Sequence, residues 1–162
     1  ELKESNPAGV FVTSIVGRYN LKTDIVEIAN AGHQPALVIN NNQFKEYTSN
    51  SMPLAVVKHK DESAYKLEKF SLNKGRIYCF TDGFSECQDE NKNEIGIDGV
   101  KKLILKHQNS SLQKELENAT EDIRLKSLKM NSNESGIKED NEILDDDLTI
   151  IGIGKWWLKQ QL

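Results

Sequence analysis

Short segments rich in β-branched and aromatic residues, separated by closely spaced turn signals, fill the first half of the chain. Such segments are typical of strands, and their close spacing predicts antiparallel pairing, because parallel strands need longer crossover connections. The expected strands are residues 10–19, 25–29, 36–39, 44–47, 64–72 and 77–80. We expect the first four of them to form a single antiparallel meander.

A helical pattern follows the β-rich half. Val100, Leu103 and Ile104 recur at helical spacing, and Asp98 is expected to cap the helix that carries them. His107 at its end is expected to lie on the helix surface without a converging partner, and so is His59 in an earlier irregular segment.

A second helix and a final strand complete the pattern. The helix is expected to begin at Ser110, to run to about Lys129 and to turn Glu115 outward. The final strand, residues 148–153, is expected to return to the middle of the sheet. Strands followed by helices and a closing strand predict an α+β domain with a largely antiparallel sheet.

Length and composition limit the class of protein. The 162 residues correspond to one domain, 1–162, and the net charge of −4 argues against a nucleic-acid partner. No apolar run is long enough to span a membrane, and the two cysteines, Cys79 and Cys87, fit a reducing, cytoplasmic compartment. Residues 131–145 are acidic and poor in apolar residues, which predicts a mobile loop.

Two acidic positions stand beside expected strands. Asp82 follows a buried strand in Thr81-Asp82-Gly83, where it either caps the turn or faces a cleft and binds a hard cation. Asp145, Asp146 and Asp147 precede the final strand, and their mutual repulsion favours a nearby cation. We expect the final strand to bring Asp146 beside Asp82, so that both carboxylates converge on one divalent ion.

Three motifs occur in a defined order: Asn30-Ala31-Gly32-His33-x-Pro35, Thr81-Asp82-Gly83-x-x-Glu86 and Asp146-Asp147-x-Thr149. Together they resemble the PPM family of metal-dependent serine/threonine phosphatases, in its bacterial SpoIIE/RsbU-like branch. The resemblance implies an α+β fold, an antiparallel β-sandwich flanked by helices. In that family further strands and helices would precede residue 10, so the chain is expected to be the C-terminal two-thirds of such a domain.

The same resemblance implies an enzyme. Water activated by Mn²⁺ or Mg²⁺ would hydrolyse a phosphoserine or phosphothreonine ester on a bacterial regulatory protein, often of the anti-anti-sigma type. Asp82 and Asp146 are implied as metal ligands, with Asp147 as a further candidate. The residues implied to shape the site are Gly83, Asn30, Gly32 and His33.

His33 has two interpretations. It is either a general acid or a local hydrogen-bonding residue that fixes its turn, and the setting before Pro35 favours the local role.

Three functions remain open. The chain is a phosphatase whose N-terminal part is missing, a non-catalytic partner-binding module on the same fold, or an α+β domain that binds stray cations. The missing N-terminal part or an upstream sensor domain is the expected partner within the same protein. The family's Asp-Gly-His-Gly motif does not occur, so half of a metal site is expected. For these residues alone the binding module is favoured, because two carboxylates hold a metal weakly. An unpaired sheet edge would also favour a homodimer.

Overall fold

The computed structural model describes residues 10–56, 65–89, 91–134 and 147–154, with the backbone alone for residues 127–134. The elements within these ranges are β1 (Ser14–Asn20), β2 (Ile25–Ala31), β3 (Ala36–Asn40), β4 (Gln43–Tyr47), β5 (Glu68–Ser71), β6 (Arg76–Phe80), α1 (Asp82–Glu86), α2 (Gly96–His107), α3 (Leu112–Glu134) and β7 (Ile150–Gly154). The strands form two sheets, of order β1-β2-β5 and β4-β3-β6-β7. Antiparallel sheets with helices confirm the expected α+β class.

The described residues fall into two compact units. One contains the residues up to Ile77 together with Gly154, and the other is Tyr78–Ile153. The expectation of a single domain over residues 1–162 stays a prediction.

The first unit is built on hairpins. β1 and β2 pair from Ser14 with Ala31 to Asn20 with Ile25, and the Asn20 side chain accepts hydrogen bonds from two backbone N–H groups in the turn. β3 and β4 are joined through Asn41 and Asn42, both at positive φ, as a tight two-residue hairpin turn requires.

The prediction that the first four strands form a single antiparallel meander is wrong. β2 lies in one sheet and β3 in the other, because the chain leaves the first sheet at the turn after Ala31. Two strands are also shorter than expected: β1 begins at Ser14, and β5 covers Glu68–Ser71 only. Val12 pairs instead with Leu54 in an isolated bridge.

Both long helices begin at other residues than expected. α2 starts at Gly96, and Asp98 in its first turn accepts a hydrogen bond from Lys101 at 2.8 Å instead of capping the helix. Ser111, not Ser110, receives the Lys114 N–H at 3.3 Å near the start of α3.

α3 runs further than the expected end near Lys129, to Glu134. The first four residues of the expected acidic loop are therefore helical, and residues 135–145 lie outside the described part of the chain. No helix among the described residues has the length and apolar character that a membrane span needs.

Two polar side chains contradict the expectation that they face solvent. Glu115 is fully buried, and its Oε1 accepts a hydrogen bond of 2.5 Å from the Tyr78 hydroxyl. His107 Nε2 lies 2.8 Å from Asp122 Oδ2 on α3, so it does have a partner. Glu115 lies on the buried face of α3 with Ala119 and Ile123, where a hydrogen-bonding partner makes its burial tolerable.

β7 lies at the end of its sheet, beside β6, and not in the middle as expected. β7 nevertheless pairs with β6, the strand that leads to Asp82. Its Gly152 contacts α3: an added Cβ would lie 2.8 Å from Leu112 Cδ1 and 3.2 Å from Leu116 Cδ1.

Candidate functional site

The strand that leads to Asp82 is anchored in the interior. Ile77, Tyr78 and Phe80 of β6 are buried, and Phe80 meets the buried Phe84 ring edge to face at 6.5 Å. The chain then enters the short helix α1, where a loop was expected, and Asp82 is its first residue. The Asp82 side chain is exposed to solvent.

Asp82 does not behave as a cap within the described part of the chain. The N-cap position of α1 belongs to Thr81, which makes no side-chain capping bond. The Asp82 carbonyl accepts a hydrogen bond from the Ser85 hydroxyl at 3.0 Å, but no hydrogen bond of the carboxylate to another described residue is found. The capping alternative is therefore not supported.

Thr81 joins this turn to the segment before β7. Its hydroxyl donates to the Asp147 carbonyl at 2.8 Å and accepts the Thr149 N–H at 3.0 Å. Its backbone N–H donates to the Thr149 carbonyl at 3.0 Å. Residues 147–149, which precede the final strand, are thus fixed against the Thr81–Gly83 turn. The predicted position of Asp146 beside Asp82 lies outside the described residues.

Gly83 allows these segments to touch. It is buried, and an added Cβ would lie 2.9 Å from the Asp147 carbonyl oxygen and 3.1 Å from Leu148 Cδ2. Contacts of this length to a backbone atom force the chain apart, so a larger residue would displace the acidic segment. Glycine at this position is therefore explained by the close approach of two backbones.

The structure describes two of the three predicted metal ligands. Asp82 and Asp147 are both exposed on the joined segments, whereas Asp146 lies outside the described residues. Carboxylate oxygens are the donors that Mg²⁺ and Mn²⁺ prefer, so the donor type fits a hard divalent cation. No group of three or more His, Cys, Asp or Glu side chains suited to a metal occurs among the described residues. A complete centre would need further ligands.

The Asn30 turn belongs to the first unit and is held by internal hydrogen bonds. The buried Asn30 amide donates to the Gln34 carbonyl at 3.1 Å and to the Tyr47 carbonyl at 3.4 Å. Its Oδ1 accepts the His33 N–H at 2.9 Å. The Asn30 side chain, at the start of the turn, is therefore bonded both to the end of the turn and to β4.

Gly32 and His33 complete that turn. Gly32 has φ +71° and would place a Cβ 2.4 Å from Pro53 Cγ, so both its conformation and its surroundings require glycine. His33 Nδ1 accepts the Gln34 N–H at 2.6 Å, which puts the proton of the neutral ring on Nε2. This is the local hydrogen bonding that the sequence favoured for His33.

Sequence reasoning missed the hydrogen bonds of Thr81. The signal was present, since a threonine accompanies the carboxylates in two of the three motifs, Thr81 before Asp82 and Thr149 after Asp147. Threonine hydroxyls next to strand ends often bond neighbouring backbone groups.

Residues 1–154 match the family model described as Stage II sporulation protein E (SpoIIE). Among curated proteins, the chain is 29% identical over 120 residues to the phosphoserine phosphatase RsbU of Bacillus subtilis, covering 72% of this chain and 35% of RsbU.

Solved structures share the fold. The SiaA-PP2C domain of Pseudomonas aeruginosa is 14% identical with a TM-score of 0.71, over 94% of this chain and 55% of that one. The phosphatase domain of the cell fate determinant SpoIIE from Bacillus subtilis, in a Mn-presoaked structure, is 14% identical with a TM-score of 0.52, over 89% and 59%. The chain thus spans about a third of RsbU and little more than half of these domains.

Proposed function

The chain belongs to the SpoIIE family, and from this premise we propose that it is a metal-dependent phosphatase domain that hydrolyses phosphoserine or phosphothreonine esters on a protein. The junction of Thr81 with Asp147 and Thr149 carries the proposal. It joins two segments that lie far apart in the sequence, and each segment bears an exposed carboxylate. Such a pair is the beginning of a site for a hard divalent cation.

The proposed metal ligands are the ones that the sequence motifs imply. Asp82 and Asp146 would hold Mn²⁺ or Mg²⁺, with Asp147 as a further ligand. Gly83 would admit Asp147 and Leu148 to the turn. Asn30, Gly32 and His33 are proposed, from the motif they belong to, as residues that shape the site. Because the described residues supply fewer than three such side chains together, the remaining ligands would come from elsewhere in the domain.

The chemistry follows from these donors. When bound, the cation would lower the pKa of a coordinated water and offset the charge of the phosphoryl oxygens. The chain's own residues would hold carboxylate oxygens on two fixed segments, and the exposure of Asp82 and Asp147 would leave room for a phosphorylated side chain. No protein nucleophile is needed for this reaction.

The proposed substrate is a phosphorylated bacterial regulatory protein, in particular one of the anti-anti-sigma type. RsbU, the curated relative, is described as a phosphoserine phosphatase, which supports a phosphoserine substrate. The non-catalytic binding module is not favoured, since the relatives named above are phosphatases. Cys79 and Cys87 are free thiols, which supports the cytoplasm as the compartment.

The test is Mn²⁺-dependent hydrolysis of p-nitrophenyl phosphate and of a phosphoserine peptide by the intact protein. We expect Asp82→Ala and Asp146→Ala each to reduce turnover about 100-fold or more, because a lost ligand removes several kcal/mol of transition-state stabilisation. Asp98→Ala is the matched control: Asp98 is also exposed and in the first turn of a helix, but it pairs with Lys101.

Two results would contradict the proposal. Mn²⁺ binding that both variants lose, without turnover in the wild type, would indicate a binding module. Turnover or Mn²⁺ binding that is indifferent to both substitutions would remove the metal assignment.

A further inference from the structure

The Thr81 hydroxyl uses both of its hydrogen-bonding capacities on one segment. It has a single hydrogen, which goes to the Asp147 carbonyl at 2.8 Å, since the Thr149 carbonyl lies further away at 3.5 Å. Its oxygen accepts the Thr149 N–H at 3.0 Å. The side chain therefore holds the chain on both sides of Leu148.

Backbone contacts add a third and a fourth constraint. The Thr81 N–H donates to the Thr149 carbonyl at 3.0 Å. The Asp147 carbonyl oxygen also lies against Gly83, where a Cβ would be only 2.9 Å away. The carbonyl of Asp147 is thus confined between the Thr81 hydroxyl and the Gly83 backbone, so that the peptide carrying the Asp147 side chain has a fixed orientation.

These hydrogen bonds are at the surface. Asp147 and Thr149 are exposed and Thr81 is half-buried, so water competes for the same groups when the bonds break. A solvent-exposed hydrogen bond contributes little net stability. Its main effect is on position, because it holds residues 147–149 in one arrangement against Thr81.

Position is what a metal ligand requires. Groups that orient ligands without touching the cation typically change its affinity by about 10- to 100-fold when they are removed. We propose that Thr81 is a positioning residue, whose hydroxyl holds Asp147 and Thr149 against the turn that carries Asp82 and thereby sets the affinity for the divalent cation. This inference rests on the proposed metal site.

Three variants separate the hydroxyl from the shape of the side chain. Thr81→Val keeps the branched shape and removes both hydroxyl hydrogen bonds. Thr81→Ser keeps the hydroxyl. Thr120→Val is the matched control in the same unit, because the Thr120 hydroxyl also bonds a carbonyl, that of Leu116 at 2.9 Å, but within α3.

Two measurements on the intact protein test the inference. Calorimetric titration with Mn²⁺ should show about 10-fold weaker binding in Thr81→Val, and binding within about two-fold of wild type in Thr81→Ser and Thr120→Val. Amide hydrogen exchange without metal should be faster at Thr149 in Thr81→Val only, since that N–H loses its acceptor.

The outcomes distinguish this inference from the proposed function. If the wild type binds Mn²⁺ and Thr81→Val binds it equally well, the positioning role is wrong while the metal site stands. If Thr81→Ser is as weak as Thr81→Val, the hydroxyl is not the cause and the role is also wrong. If the wild type binds no Mn²⁺, the proposed site fails and this inference fails with it.

Discussion

The turn after β2 and the junction after β6 both carry motif residues, but they use their polar groups in opposite ways. In the first turn Asn30 is only 5% exposed, and its side chain satisfies backbone groups at the end of its own turn and on β4. At the junction the Asp82 and Asp147 carboxylates are exposed, and the bonds that hold the segments run through Thr81. A buried polar group fixes a shape, whereas an exposed carboxylate on a fixed segment lies where a ligand can reach it.

The difference between the two regions follows from the free-energy cost of burying a polar group. A buried polar group must be hydrogen-bonded, since leaving it without a partner costs about 1–3 kcal/mol. Among the described residues, every buried side-chain nitrogen or oxygen has a hydrogen-bond partner. An exposed carboxylate keeps its water instead, and a cation can replace that water. We therefore expect substitutions in the turn after β2 to affect mainly stability, and substitutions at the junction after β6 to affect mainly cation binding.

The largest stability effect is expected from Asn30→Ala. The substitution removes two donated bonds and one accepted bond and leaves the buried Tyr47 carbonyl without that donor, so we expect a loss of about 2–3 kcal/mol in the free energy of unfolding. Urea denaturation measures it. Asp82→Asn should leave the urea midpoint nearly unchanged while it abolishes Mn²⁺-dependent turnover. Equal urea midpoints for the two variants would contradict this difference between the two regions.

A smaller effect is expected from Tyr78→Phe, which tests a buried pair in the unit that contains the junction. The Glu115 carboxyl loses a 2.5 Å bond from the Tyr78 hydroxyl in a fully buried position, and we expect a loss of about 1–2 kcal/mol. Tyr19→Phe is the control, since the Tyr19 hydroxyl donates to Asp24 at 2.7 Å in a half-buried position. If Tyr19→Phe lost as much unfolding free energy as Tyr78→Phe, or more, burial would not determine how much the lost hydrogen bond costs.

The smallest effect on stability is expected from Asp122 of α3, which pairs with Lys106 and His107 of α2. Burial disfavours its charged form, but hydrogen bonds from Lys106 and His107 outweigh this and hold the pKa of Asp122 below its ordinary value. Because the folded pKa lies below the unfolded one, the stabilisation is complete above the unfolded value and is lost as the pH falls through the folded one.

Asp122→Asn should therefore lower stability by about 0.5–1 kcal/mol near neutral pH. The difference from wild type should shrink as the pH is lowered through the acid range, which urea denaturation at a series of pH values would measure. A difference that grows on acidification would have the wrong sign and would contradict the assigned pKa shift.

The strands were predictable because local signals determine them. The β3–β4 turn is one example, since Asn41 and Asn42 tolerate the positive φ that the turn requires. The family and the α+β class were predictable because the motifs keep their order. The change of sheet after Ala31 was not, because a turn signal shows where a strand ends and not which sheet receives the next strand.

The approach of the Thr81–Gly83 turn to the residues before the final strand was predictable, but the bonds that join them were not. The site itself stays a prediction. The bonds between Thr81 and Thr149 connect residues distant in sequence, so the threonine near each carboxylate indicates a hydrogen-bonding role without identifying its partner. Glu115 was assigned to the surface because of its charge, although its spacing from Ala119 and Ile123 places it on their face of α3. Asp146 as a ligand stays a prediction.

The buried pair of Tyr78 and Glu115 also determines how uniquely α3 can pack. Apolar side chains such as Ala119 and Ile123 are buried almost as well if a helix slides or rotates on its neighbours, because apolar contact has no direction. A hydrogen bond does have direction, so any arrangement that separates the two oxygens leaves a carboxyl buried without that donor. Each alternative packing of α3 is thereby raised in free energy, and the arrangement that keeps the hydrogen bond to β6 is favoured over the others.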